Sequence, residues 1–167
     1  MQKVLVLFLF FLFLFPVSPS SYDINFLTRK YQGVAIGQLT LAYRLISLST
    51  SLAISKAVDK EYIISLLDNV DATVMNSKRI IASNDRDPDP LTLEILKGIE
   101  FFVTCSKNVK EYSSNQNYEN LTKVRVCIEN SSNIIDSLTD NFNSLNKKEL
   151  EKKEVEEKKS EKEKRKP

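Results

Sequence analysis

Four runs of the sequence place apolar residues at alternating intervals of three and four. This spacing is typical of helix seams that pack on other helices, as in coiled coils. No stretch alternates apolar and polar residues between turn signals, as a strand would, so the pattern predicts an all-α fold. The four seams are, in chain order, Leu27, Tyr31, Val34, Gln38, Leu41, Leu45, Leu48 and Leu52; Ile63, Leu67, Val70, Val74, Ser77 and Ile81; Leu91, Ile95, Gly98, Phe102, Cys105, Val109 and Tyr112; and Leu121, Val124, Ile128, Ser131, Ile135, Leu138, Phe142 and Leu145.

The segments between the runs are short and carry helix-ending signals. Asp59 is a candidate cap for the second helix, and the loop NDRDPDP follows that helix. Asp89 is placed to cap the third helix, with Pro90 in its first turn, where a missing N–H has no cost. The polar turn 113–117 separates the third and fourth helices. Short links between long amphipathic helices predict an up-down-up-down four-helix bundle over residues 22–145.

Residues 1–20 have the pattern of a secretory signal peptide. Lys3 precedes an unbroken apolar run from Val4 to Phe15, and small residues that include Ser18 and Ser20 follow it. A transmembrane helix needs roughly 20 apolar residues, more than this run provides. We expect cleavage after Ser20 and a secreted or periplasmic protein, with an uncleaved signal anchor as the alternative.

The first helix raises the question of a membrane span, because residues 34–54 are largely apolar. Arg44 lies at the centre of this window, and a charge in the middle of a bilayer costs several kcal/mol. We therefore expect a bundle helix and no stable membrane span after signal cleavage. Gly33 and Gly37 have the spacing that allows close helix approach.

Residues 146–167 form a Lys/Glu-rich tail with ten basic and seven acidic residues. Glu and Lys four residues apart support a solvated helix, so the tail is predicted to extend the fourth helix or to fray in solvent. A functional interpretation of this tail is an electrostatic tether to an acidic surface or to a partner.

Cys105 and Cys127 are the only cysteines of the chain. Each lies eleven residues from Gln116, at the centre of the turn between the third and fourth helices. In an antiparallel hairpin, residues equidistant from the turn lie at the same height, so the two thiols are expected to face each other. In an exported protein this arrangement predicts a structural disulfide, with two free buried thiols as the alternative.

The composition excludes most chemistries that a sequence reveals. The chain has no histidine and three glycines, which removes Ser-His-Asp and Cys-His activation, the usual zinc sites and phosphate-binding loops. Asp85, Asp87 and Asp89 resemble the start of a calcium loop, but Pro90 stands where that loop needs glycine. We predict no catalytic residues, no metal site and no cofactor. The body of the chain has no concentration of basic residues, so we expect no nucleic-acid partner.

Two sequons for N-linked glycosylation begin at Asn120 and Asn130, in Asn120-Leu-Thr and Asn130-Ser-Ser. Both fall on the fourth predicted helix. They would carry glycans only in a eukaryotic host.

The leading functional hypothesis is a non-enzymatic exported bundle that acts by binding another protein, whose identity the sequence does not indicate. The sequence indicates no oligomeric state. The alternative hypothesis is a carrier of a small apolar ligand or lipid in the bundle core. The residues proposed to line such a cavity are Tyr31, Phe102, Tyr112 and Phe142.

Overall fold

A computed structural model of the protein describes residues 21–84 and 88–164. The predicted signal peptide, Asp85 and Asp87 lie outside the described residues. Within the two described ranges the chain forms four helices and no strand, which confirms the all-α prediction. Helix α1 spans Ser21–Ser55, α2 spans Lys60–Asn84, α3 spans Pro90–Ser114 and α4 spans Tyr118–Lys164.

Side-chain contacts show that consecutive helices are antiparallel. Between α2 and α3 the ion pairs are Lys78–Glu100 and Lys110–Asp68. Residue numbers therefore fall along α2 as they rise along α3. The same relation holds between α3 and α4 and between α4 and α1. The contacts that show it are Asn108–Cys127, Glu94–Asn141, Arg29–Glu149 and Gly33–Phe142. The fold is an up-down-up-down four-helix bundle, as predicted.

Helices α1 and α3 form the short diagonal of the bundle. Each of them contacts the other three helices, whereas α2 and α4 make no contact with each other in the described ranges. Gly98 of α3 lies at the crossing, where an added Cβ atom would lie 3.5 Å from Leu39 of α1. This distance is an ordinary van der Waals contact, so Gly98 marks the place where α3 packs against α1.

The predicted seams of α2, α3 and α4 are confirmed. All predicted seam residues of α2 and α3 are buried, and those of α4 are buried or half-buried. Asp89 caps α3 as predicted: its side chain accepts a hydrogen bond from the Thr92 N–H, and Pro90 occupies the first turn. Phe102, in the middle of α3, is the largest of the fully buried side chains.

The predicted seam of α1 is wrong by one residue. The face that α1 buries has the same spacing, but a shift of one residue rotates a helix face by about 100°. In the predicted seam, four residues are half-buried and four are exposed. The buried seam comprises Gln32, Ala35, Leu39, Ala42, Ile46, Ser49 and Ala53; the half-buried residues are Tyr31, Gln38, Leu45 and Leu52; and the exposed ones are Leu27, Val34, Leu41 and Leu48.

Side-chain size explains this difference. The close approach of α1 and α3 leaves room for small side chains, and alanine and serine make up four of the seven positions of the buried seam. Periodicity alone favours the seam with the larger apolar residues, because those residues have more surface to remove from water.

None of the described helices combines the length and the apolar composition that a membrane span needs.

The two glycines of α1 have different surroundings and do not form one shared contact. A Cβ atom at Gly33 would lie 3.0 Å from the ring of Phe142, so this glycine makes room for α4. A Cβ atom at Gly37 would meet nothing within 4 Å, because this glycine faces solvent. Gly33 therefore serves the packing of the bundle, and Gly37 does not.

The Lys/Glu-rich tail is helical as far as Lys164. Helix α4 continues through position 145 without a break and has 47 residues, whereas α2 and α3 have 25 each. At 1.5 Å per residue, α4 is about 70 Å long and extends beyond the other helices. Leu150 and Val155, the apolar residues of this extension, are exposed. Beyond Glu149, which pairs with Arg29 of α1, the extension is exposed as far as Glu156.

Candidate binding surface

The outer face of α1 carries a line of exposed apolar side chains. We call Leu27, Val34, Leu41 and Leu48 the apolar row. Its members are seven residues apart, so they share one side of the helix over about 30 Å. Between 43% and 50% of the surface of each residue is exposed. The bundle thus covers only part of the apolar surface of α1.

A second line of exposed residues runs beside the apolar row and is basic. It consists of Lys30, Gly37, Arg44 and Ser51, again seven residues apart. The sequence has no aspartate or glutamate between Asp23 and Asp59. Among the side chains that the structure describes, none pairs with Lys30 or Arg44 through an ion pair. The outer face of α1 is therefore apolar and positively charged.

The outer faces of the other helices differ from that of α1. On α2 and α3 the exposed large apolar residues lie ten or more positions apart. On α4 they form two pairs, Tyr118 with Val126 and Leu150 with Val155, which are eight and five positions apart and do not repeat along the helix. All of them are surrounded by charges of both signs. Single exposed apolar residues of this kind are normal on protein surfaces. They include Tyr62 and Met75 on α2 and Leu93 and Val103 on α3. Only α1, among the four described helices, combines a regular apolar row with charges of one sign.

A partly buried polar network fixes the end of α1 that is nearest the α2–α3 loop. Arg29 Nη1 donates to Gln32 Oε1 (2.6 Å) and to Asp89 Oδ2 (2.9 Å), and Arg29 Nε donates to Glu149 Oε1 (2.9 Å). The buried Gln32 amide donates to Asp89 Oδ1 and to Thr92 Oγ1, both at 2.8 Å. The network joins α1 to the cap of α3 and to the α4 extension. It therefore holds three helices at one end of the bundle.

The Asp89 carboxylate is stabilised in its charged form. Partial burial opposes ionisation, but hydrogen bonds from Thr92 and Gln32 and the charge of Arg29 outweigh it and lower the pKa of Asp89. The stabilising contribution of a group with a lowered pKa is present above its unfolded value, 3.8 here. The contribution is lost as the pH falls through the lower pKa of the folded state.

Replacing Asp89 by alanine should lower the free energy of unfolding by about 2 kcal/mol at pH 7. The change removes a helix cap and one partner of the buried Gln32 amide. Asp89→Asn keeps a good cap and should cost about half as much. Urea unfolding at pH 7 and at pH 3 gives the free energy of unfolding of both variants. The difference in this free energy between wild type and Asp89→Ala should be smaller at pH 3 than at pH 7. Asp136→Ala, on the exposed side of α4, is the control. An Asp89→Ala loss no larger than that of the control would contradict the role of this network.

The structure brings the two cysteines together, as their equal distance from the turn predicted. Cys105 and Cys127 are both buried and are free thiols, and their sulfur atoms lie 2.6 Å apart. A disulfide bond is about 2.05 Å long, so the bond is not formed in this structure and the disulfide stays a prediction. Hydrogen bonding with Cys127, together with burial, raises the pKa of Cys105. The same hydrogen bond lowers the pKa of Cys127 to about 7.

The four aromatic residues proposed for a ligand cavity lie at three heights in the bundle. Tyr31 and Phe142 are half-buried near Gly33, at the end that holds the polar network. Phe102 is fully buried about 15 Å further along α3, and Tyr112 is buried about 15 Å beyond Phe102. The rings therefore do not form one cluster. An open surface pocket of about 480 Å³ lies near the α3–α4 turn and is lined by Lys110, Glu111, Ser114, Asn115 and Asn120.

The two predicted glycosylation residues occupy different surroundings on α4. Asn120 is half-buried, and its side-chain amide donates to the Asn115 carbonyl at the end of α3. Asn130 is exposed in the first third of α4. Groups of acidic or cysteine side chains suited to a metal ion are absent from the residues that the structure describes.

The sequence-based prediction missed the exposed face of α1 because it assigned the apolar row to the core. A usable signal was present, since the segment between Asp23 and Asp59 lacks acidic residues although charged residues make up 28% of the chain. It also missed Arg29, Gln32 and Glu149 as members of one network.

Comparison of the chain with protein-family models, with curated proteins and with solved structures finds no match.

Proposed function

We propose that this chain is an exported, non-enzymatic four-helix bundle that acts by binding another protein through the outer face of α1. The observation that carries the proposal is the apolar row, four half-exposed side chains at regular spacing that the bundle leaves uncovered. Regular apolar surface of this kind marks interaction sites in soluble proteins. The signal-peptide pattern of residues 1–20 supports a secreted or periplasmic location.

The magnitude of the hydrophobic gain indicates a reversible complex. Full burial of a leucine or valine side chain contributes about 1.5–3 kcal/mol, and about half of each row residue remains to be covered. The four residues together would contribute on the order of 3–6 kcal/mol. Association itself costs roughly 4 kcal/mol or more, so the row alone gives weak binding. Polar and charged contacts beside the row must supply the remainder.

Site-specific photo-crosslinking tests the proposal. A photoreactive residue at position 41 should link the exported protein to one discrete protein, whereas the same residue at position 75 should not. Met75 is a matched control because it lies on α2 and is 49% exposed, compared with 50% for Leu41. The linked protein is then identified, purified and titrated. Leu41→Glu should weaken its binding at least tenfold, and Met75→Glu should leave it unchanged. Equal crosslinking at the two positions, or none at position 41, would overturn the proposal.

We also propose that Cys105 and Cys127 form a disulfide after export. Support comes from their burial, their proximity and the lowered pKa of Cys127. The Cys127 thiolate attacks a small disulfide such as oxidised glutathione, and the resulting mixed disulfide is then attacked by Cys105. Two electrons pass to the oxidant, which leaves as two thiols, and both protein thiols lose their protons. The bond would join α3 to α4 in the middle of the bundle.

A further inference from the structure

We infer that the partner of the α1 face is an amphipathic helix whose apolar stripe is flanked by acidic residues. It would dock along α1 as a fifth helix of the bundle. This inference rests on the proposed function and names the chemical class of the partner. It depends on three properties of the face: its spacing, the hollow at Gly37 and its charge.

The spacing of the face suits a helix. In helix pairs with heptad spacing, a side chain of one helix inserts between four residues of the other, at positions i, i+3, i+4 and i+7. Val34, Gly37, Gln38 and Leu41 form such a set at the middle of the apolar row. An added Cβ atom at Gly37 meets nothing within 4 Å, so this hole is open to its base. A leucine of a partner helix would fill it.

The charge of the face favours acidic residues in the partner. Lys30 and Arg44 lie seven residues before and after Gly37, on the side of the face next to the apolar row. Acidic side chains beside the partner's stripe, on the side that meets this line, would pair with them, as charges do beside helix seams.

A second copy of this chain is the less suitable occupant. In a two-fold packing centred on Gly37, Lys30 of one copy would approach Arg44 of the other, because the two residues lie at equal distances from the centre. The sequence has no acidic residue between Asp23 and Asp59 that could compensate this repulsion. Like charges beside a helix seam disfavour self-pairing.

A membrane surface also fits the face less well. Helices that lie on membranes bury large apolar faces and carry many lysine and arginine residues. The α1 face offers two cations and four aliphatic side chains that are already about half covered by the bundle. A partner helix contributes an apolar stripe of its own. Its docking therefore needs less apolar surface on α1 than binding to a membrane does.

Two designed peptides test the inference with the protein purified after export. Both are helices of about four heptads with leucine at the seam; one has glutamate beside the seam and the other has lysine. Fluorescence anisotropy should show the acidic peptide binding at least tenfold more tightly than the basic one. Raising the salt from about 0.1 M to 1 M should remove most of this preference, because the screening length falls from about 10 Å to about 3 Å.

Charge reversal supplies the matched control. The double variant Lys30→Glu/Arg44→Glu should reverse the preference and favour the basic peptide. Arg79→Glu/Lys97→Glu changes the net charge by the same amount on the exposed sides of α2 and α3 and should leave the preference unchanged. Leu41→Glu should weaken binding of both peptides. Far-ultraviolet circular dichroism checks that every variant remains folded.

Four outcomes would overturn the inference. They are equal binding of both peptides, binding of neither, self-association that Leu41→Glu abolishes, and binding to anionic phospholipid vesicles that Leu41→Glu abolishes. If crosslinking at position 41 finds a protein while neither peptide binds, the proposed function stands and the helical, acidic partner is wrong. If the acidic peptide binds while no protein is crosslinked, the recognition chemistry stands and the proposed function fails.

Discussion

Replacing Phe102 by alanine should lower the free energy of unfolding by about 3–5 kcal/mol. Phe102 has no exposed surface and lies in the middle of α3, the helix that packs against each of the other three. Its ring makes an edge-to-face contact with Phe101, with centroids 6.4 Å apart and an interplanar angle of 84°. The substitution removes these contacts and leaves a cavity at the centre of the bundle. Because small domains are stable by about 5–15 kcal/mol, such a loss would remove a large part of the total.

Urea unfolding followed by circular dichroism measures this effect, and Val103→Ala provides the control. Val103 is the next residue on α3 but is 36% exposed, so its truncation should change the free energy of unfolding by less than about 1 kcal/mol. A Phe102→Ala loss of the same size as the Val103→Ala loss would show that α3 does not pack as described.

Reducing the proposed Cys105–Cys127 disulfide should lower the free energy of unfolding by about 3 kcal/mol. The bond would close a loop of about 23 residues, and the chain-entropy model assigns this stabilisation to the restricted unfolded chain. The double variant Cys105→Ser/Cys127→Ser should resemble the reduced protein. Denaturant unfolding of the oxidised, reduced and double-variant proteins gives the three values.

Thiol labelling and kinetics check the same bond independently. Alkylation of the denatured but unreduced protein should label no thiol, and two labelled thiols in the exported protein would refute the disulfide. The rate of oxidation of the reduced protein by oxidised glutathione should rise as the pH passes through about 7, because the attacking Cys127 thiolate has a pKa of about 7. Cys127→Ser removes the hydrogen bond that raises the pKa of Cys105 most, but burial still raises that pKa, so this variant should react more slowly with the oxidant at neutral pH.

Much of α2, α3 and α4 could be predicted from the sequence because their patterns are unambiguous. Each of these helices has one seam at regular spacing in which most residues are large and apolar, and the structure covers that seam. The cap at Asp89 could be predicted for a different reason, since it depends on residues three positions apart. The equal height of the two cysteines in the bundle follows from their equal distance in sequence from one short turn. All three predictions depend on distances measured along the chain.

Helix α1 could not be predicted in the same way, because it has two neighbouring seams of equal regularity. One seam contains the larger apolar residues and the other contains small and polar ones. The choice between them depends on how α1 packs against α3, where Gly98 lies 59 positions from Leu39 in the sequence but next to it in the bundle. The exposed face of α1 was missed together with this choice, because four of the eight residues assigned to the core are exposed.

The sequence by itself determined the helical class, the number of helices, the buried faces of α2 to α4 and the facing cysteines, because periodicity and turn positions are local properties. Only the tertiary structure decided which face of α1 is covered and which is left exposed. Only it brought Arg29 to Asp89, 60 positions away, and to Glu149, 120 positions away. Both outcomes depend on distances between helices, and these distances are set by the fit of many side chains at once, which spacing along one helix does not encode.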